Sequence, residues 1–285
     1  VQGVAWDKMK DPNAPRVTII EHPDVRRNLM MMKARVEAMR ALTYRVAYYD
    51  DMAMNTDDKD KYQNLCDLLT PVVKAHNSDM CDDVCRVGIQ VLGGYGYCGE
   101  YPLEQAARDS KIFTIWEGAN GIQALDLLGR KLTMKSGMLF MTFLGEFTEL
   151  IEDAKSVDGL KDEIALVEKG RDKLAEVTMR LGQAGMMGDR ELPVLVATNY
   201  LALFGDVTYA VLLLQQAGVA QRKLDEMVAE AGCSVDELCD KNETARYYFN
   251  KVATARFFSH ELLPMVYARA MAIEDGDRSA LHAKL

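Results

Sequence analysis

A chain of 285 residues, 49% hydrophobic and 27% charged, has material for one large domain or two modest ones around buried cores. Its net charge of −9 removes the electrostatic case for nucleic acid or an anionic membrane surface. No uninterrupted apolar run reaches the roughly 18 residues of a membrane span, and seventeen methionines against seven prolines lean towards helices.

The sequence opens on Val1, and VQGVAWDKMK lacks a basic-then-apolar leader layout, so the chain is expected to begin inside a longer protein. Residues 1–22 read as irregular, with proline-rich KDPNAPRVTIIEHPD showing little periodicity. From Asp24, the residues Val25, Leu29, Met32, Val36, Met39, Thr43 and Val46 recur at steps of four and three. That spacing predicts one face of a helix running to about Met54. Pro23 suits its first turn and Asp24 complements its dipole. A second helix is predicted over 61–77, bent at Pro71, and a third from Asp79 to Gly93. A short helix over 103–110 and another over 120–131 follow, and residues 133–137 read as a joint.

Beyond the joint lie four long amphipathic stretches, 138–155, 159–186, 192–231 (broken near Gly205) and 243–273, before a polar, frayed tail. Short connections between long helices imply antiparallel neighbours. The expected fold is all-α: an up-and-down helical bundle over 1–135 and an appended helical bundle over 136–285. Cysteines stand at 66, 81, 85, 98, 233 and 239. Cys81 and Cys85 with His76 lack a fourth metal ligand, so no metal is expected, and the six read as free thiols of a cytoplasmic protein.

The stretch GGYGYCGEYPLEQAARDSKIFTIWEG, 93–118, fits G-x-G-x-x-G and ends on an acid, Glu117. A Rossmann crossover would need a strand before the glycines, a longer helix after them and further strands. Here the residues before Gly93 continue a helical face from Cys81, and nothing downstream offers a parallel sheet. What remains is a glycine turn between helices and an isolated carboxylate beside Ile115 and Trp116. By spacing alone Glu117 has two readings. As a charge on the first turn of the next helix it has the commoner role for an acid at such a place. As a desolvated carboxylate, its pKa raised, it suits a base for a weak carbon acid.

The segment GIQVLGGYGYCGEYPLEQAARDSKIFTIWEGANGIQALDLLGRK closely resembles the signature of the acyl-CoA dehydrogenases. There Q-[IVL]-x-G-G-x-G-[YF]-x-x-E-[YF]-P-x-E leads through R-D-[AS]-K-I to Y-E-G-T-x-x-I-Q. NAPRVTIIEHPDVRRNLMMMKARVEAMRALTY and LLGRKL are similar to the longer bacterial branch, which adds a helical domain after the dehydrogenase core. VQG resembles the R-x-Q-G that follows the family's β-domain, so the resemblance implies the C-terminal portion of such an enzyme, inactive without its N-terminal and β-domains.

The resemblance implies FAD as cofactor, an acyl-CoA substrate, an electron-transfer flavoprotein as electron acceptor and a homo-oligomer. Glu117 falls at the family's catalytic base, which takes the α-proton of the thioester, and its backbone amide at the thioester oxygen. Gly118 joins it on the substrate side. Gln90, Gly93 and Gly94 resemble positions approaching the FAD of a neighbouring subunit, and Ala119 and Gly121 fall in the cofactor stretch. Arg108 and Asp109 match a structural pair. Ala119 replaces a common threonine, removing a hydrogen bond worth about 0.5–1.5 kcal/mol. Trp116 replaces tyrosine, and Val4 an arginine common in the long branch. The departures at Ala119 and Trp116 and the long bundle support an alternative expectation, a non-catalytic helical assembly module derived from the family.

Overall fold

The computed structural model describes residues 3–284, and the Val1-Gln2 part of the VQG stretch lies outside them. Residues 3–22 are irregular, with an isolated bridge between Val4 and Arg16 and two short 3₁₀ turns. Among the described residues no strand is present beyond that bridge, and the all-α expectation is met.

Helix α1 spans Pro23–Asn55, with proline at its start and Asp24 paired to Arg27 at 2.9 Å. Its core face differs from the periodicity reading. Ala34, Ala38, Ala41, Leu42 and Tyr49 are buried, whereas Val36 is exposed. Alanines let a partner helix approach closely, which the larger side chains of the expected stripe would prevent.

That partner is α2, Lys59–Leu92, one unbroken helix where two were expected. Pro71 inside it costs one ladder bond, about 3 kcal/mol in an isolated helix. Here the proline is buried, and packing along α1 carries the helix through. The polar residues at the expected break find tertiary partners instead. Asn77 Nδ2 donates to Met39 O at 3.3 Å and Thr43 Oγ1 at 3.0 Å, and Ser78 Oγ donates to Asn120 Oδ1 at 3.1 Å.

α2 ends at Gly93, whose φ of 61° and ψ of −142° suit glycine, and a 3₁₀ turn covers Gly93–Tyr97. Helix α3, Pro102–Ile112, then runs back along α2, with Leu103 against Gly88 and Lys111 Nζ 3.8 Å from Asp82. Helix α4, Asn120–Leu125, continues as a π-turn to Lys131. The joint at 133–137 has left-handed backbone at Lys135, Ser136 and Gly137.

Next come α5, Met138–Lys155, α6, Lys161–Met186, and α7, Glu191–Ala231. The unforeseen α8, Val235–Lys241, is capped by Ser234, which accepts from Glu237 N at 3.2 Å. Helix α9, Glu243–Phe257, slackens into a π-turn over Phe258–Leu262 ahead of Pro264. α10, Met265–Asp275, and a single turn, α11, Ser279–His282, complete the order.

α7 is apolar around most of its circumference and packs on α1, α2, α4, α5, α6, α9 and α10. By length and composition it is apolar enough to cross a membrane, yet 72% of that window is buried in the bundle, the pattern of a core helix. Phe143 packs at a tilt against Phe147 and Phe204 with ring centroids 4.1 and 4.7 Å apart. Buried apolar residues of α1, α2, α4–α7, α9 and α10 form one continuous cluster, and Leu224, Leu238 and Ala245 form a smaller second one.

A polar link crosses that core. His76 of α2 lies 3.2 Å from Asp206 of α7, and Asp206 also pairs with Arg269 of α10. Burial opposes the charge on Asp206, but His76 and Arg269 overcome it and hold its carboxyl below the usual range. Gly205 is not a break in α7 but the space into which the His76 ring fits.

Candidate active site

Between α3 and α4 the chain turns through Phe113–Trp116, Glu117, Gly118 and Ala119. Glu117 has a φ of +48°, in the left-handed region, and Gly118 has +91°. A non-glycine residue there costs roughly 1–2 kcal/mol, so the surroundings must impose it. Gly118 has a second reason to lack a side chain, since Gln123 Nε2 occupies the place of a Cβ.

The turn is tied down from α2. Lys74 Nζ donates to Phe113 O at 2.8 Å on the entering side and to Asn120 Oδ1 at 2.8 Å on the leaving side. Asn120 Nδ2 lies 2.7 Å from Asp79 Oδ1, 2.9 Å from Ser78 Oγ and 3.1 Å from Ala75 O. The Asn120 amide closes the turn on Thr114 O at 3.0 Å. The Glu117 N–H makes no hydrogen bond to another described residue.

Glu117 borders a cleft of about 650 Å³. Phe113 and Trp116 line it from the turn, Met39, Arg40, Thr43 and Tyr44 from α1, and Lys74, Asn77, Ser78 and Cys81 from α2. Its rear wall connects to the polar link, because Tyr209 of α7 donates to Asn77 Oδ1 at 2.5 Å. The Glu117 side chain is exposed, so this chain does not itself supply the expected desolvation.

Gln90, Gly93 and Gly94 do not join this cleft. They sit at the C-terminal end of α2, about 24–30 Å along its axis from Lys74 near the middle of the helix, and are exposed. Among the described residues, no atom beyond the chain neighbours and local helix backbone lies within 4 Å of a Cβ built on Gly93, Gly94 or Gly121, so these backbones face open space. Ala119 is the residue preceding α4, and Gly121 lies in its first turn. Arg108 and Asp109 form local pairs, with Glu104 at 3.1 Å and Gln105 at 3.3 Å.

The family profile described as "Acyl-CoA dehydrogenase, C-terminal domain" matches residues 2–132, and the one described as "Acetyl-CoA dehydrogenase C-terminal like" matches residues 143–284. The chain belongs to the acyl-CoA dehydrogenase family. It is 35% identical over 277 residues to a butyryl-CoA dehydrogenase of Syntrophomonas wolfei, covering 96% of this chain and 43% of the relative. It is 33% identical over 290 residues to a broad-specificity linear acyl-CoA dehydrogenase of Mycobacterium tuberculosis, covering 99% and 46%. A caffeyl-CoA reductase–Etf complex subunit of Acetobacterium woodii is 31% identical over 101 residues, covering 35% of this chain and 24% of the relative.

This acyl-CoA dehydrogenase chain thus spans under half the length of the two relatives that match nearly all of it. Among solved structures, Caenorhabditis elegans ACDH-11 in complex with C11-CoA superposes with a TM-score of 0.65 at 20% identity, covering 82% of this chain and 35% of that one. An acyl-CoA dehydrogenase from Bacillus anthracis complexed with FAD gives 0.52 at 19%, covering 89% and 46%. At such identities the likeness concerns the fold.

Lys74, Ser78, Asp79 and Asn120 were not singled out by the sequence. Asn120 carries a partial signal, a side-chain amide opening a helix after a glycine. Lys74 carries none, because a lysine on a helix face ordinarily marks only solvent.

Proposed function

We propose that this chain is the C-terminal portion of an FAD-dependent acyl-CoA dehydrogenase, with Glu117 as the base that removes the α-proton of an acyl-CoA thioester. The observation that carries the reading is the left-handed backbone of Glu117, held beside a 650 Å³ cleft. Strain at a carboxylate that merely charged a helix start would have no compensation. The unbonded Glu117 N–H supports its role as donor to the thioester oxygen, where it would stabilise the enolate as the α-proton leaves. We place Gly118 beside Glu117 on the substrate side of the turn.

FAD, when bound, supplies the acceptor for the β-hydrogen as hydride. The open backbones of Gly93, Gly94 and Gly121 fit close approach by a dinucleotide, and Gln90 and Ala119 flank them. Gln90, Gly93 and Gly94 lie outside the Glu117 cleft, at the C-terminal end of α2, which supports their facing the flavin of a neighbouring subunit in a homo-oligomer. Reoxidation by an electron-transfer flavoprotein is supported by the relative named as a subunit of an Etf complex. We place the domain division at 1–135 and 136–285, the whole in the cytoplasm, and assign the exposed Glu117 of the separate chain neither tight FAD binding nor turnover.

The test is Glu117→Gln in the natural polypeptide that carries this chain. It should keep its flavin spectrum and lose acyl-CoA oxidation by at least about 10³-fold, the scale of a removed general base. Undiminished oxidation would place the base elsewhere.

A further inference from the structure

We propose that Lys74 is a positioning residue for Glu117, holding the turn in the left-handed geometry that aims the carboxylate and its N–H into the cleft. The inference rests on the assignment of Glu117 as base. Its observation is the pair of 2.8 Å bonds from one ammonium to Phe113 O and Asn120 Oδ1, one on each side of Glu117. Neither acceptor is a carboxylate, so Lys74 is not in a surface ion pair of the kind found elsewhere on these helices. It bridges the two ends of a strained turn from a helix fixed by the core.

Asn120 makes the bridge specific. Its Oδ1 receives Lys74, while its Nδ2 is engaged by Ser78, Asp79 and the Ala75 carbonyl. An aspartate in its place would pair with Lys74 but set an acceptor against Asp79 and the carbonyl. Three elements therefore converge on one short segment: α2, the end of α3 and the start of α4. If the ammonium is removed, the Phe113 carbonyl turns to water and Glu117 can relax towards ordinary backbone angles. A misplacement on the order of 1 Å at the reacting centre is worth about 10²-fold in rate.

The test compares Lys74→Met, Lys74→Arg and Asn120→Ala with the parent in the natural polypeptide. Amide hydrogen exchange across 113–123 should rise about 10- to 100-fold in Lys74→Met and in Asn120→Ala. Exchange in α6 and α7 should stay unchanged. The kcat for acyl-CoA should fall by a similar factor with KM within about twofold, and the α-deuterium isotope effect should increase as proton removal becomes limiting. Lys74→Arg, long enough to reach both oxygens, should restore protection and most of kcat. Unchanged exchange at 113–123 in Lys74→Met overturns the proposal. So does a uniform rise accompanied by a lower Tm and an unchanged isotope effect. Should Glu117→Gln keep its activity while Lys74→Met still opens the turn, the base assignment fails and the clamp stands.

Discussion

Gly205→Ala in α7 is a substitution that helix propensity alone favours by about 1 kcal/mol. The structure predicts the reverse sign. A Cβ at this position would lie 2.8 Å from His76 Nδ1 and closer still to Cγ and Cδ2. His76 has no open side to move into: it is 1% exposed, its ring centroid is 4.6 Å from that of Tyr209, and Nε2 is 3.2 Å from Asp206. Overpacking costs about 1–3 kcal/mol, and losing a hydrogen bond to a charged group about 1.5–3 kcal/mol. Less the propensity gain, the variant should be destabilised by about 2–5 kcal/mol. Urea denaturation of the chain, followed by circular dichroism, measures this as a lowered midpoint. In a His76→Ala background the clash is gone, and Gly205→Ala should be neutral or stabilising by up to about 1 kcal/mol. A midpoint at or above the parent's with His76 in place would refute the packing argument.

Two further outcomes follow from the same geometry. The depressed Asp206 carboxyl contributes stability in full above its ordinary value of 3.8, and loses it as pH falls through the lower folded value. Asp206→Asn should therefore cost about 3 kcal/mol near neutral pH, where His76 and Arg269 lose the carboxylate charge and one of its two acceptor oxygens. The gap in denaturation midpoint should begin to narrow below about pH 3.8 and close as pH falls through the lower folded value; a gap independent of pH would contradict this. At the turn, Glu117→Gly should relieve about 1–2 kcal/mol of strain against about 0.5–1 kcal/mol of added chain entropy. It should be more stable than Glu117→Ala, which keeps the strained φ, and equal midpoints would count against strain at this residue.

The fold was legible where local signals agreed. The Pro23 start of α1, the glycine stop of α2 and the left-handed joint at 133–137 all lie where turn and cap chemistry put them. It was misread where tertiary contacts override local ones. Asn77, Ser78 and Pro71 look like helix breakers until α1 and α4 supply their partners, and Gly205 looks like a break until His76 fills it. Helix α8 is a different kind of miss, since Ser234 followed by Glu237 is a capping pattern visible in the sequence.

At the site, the position of Glu117 came through the family signature, but its backbone strain and its hold on α2 did not. A positive φ at a non-glycine residue leaves no mark in composition or period. Lys74 meets the turn only through the α2–α3 fold-back, in which α3 returns along α2 from the glycine end to the middle of the helix. The sequence placed the glycines and the carboxylate in one stretch; the fold sets the glycines at the end of a long helix and the carboxylate beside its middle.

The central claim is that Glu117 takes the α-proton. Its most direct measurement is solvent deuterium entering the α-position of an enzyme-bound acyl-CoA that cannot be oxidised, followed by NMR in the natural polypeptide. Exchange should be present in the parent and absent in Glu117→Gln, with the thioester still bound. Exchange persisting at the parent's rate in Glu117→Gln would contradict the account.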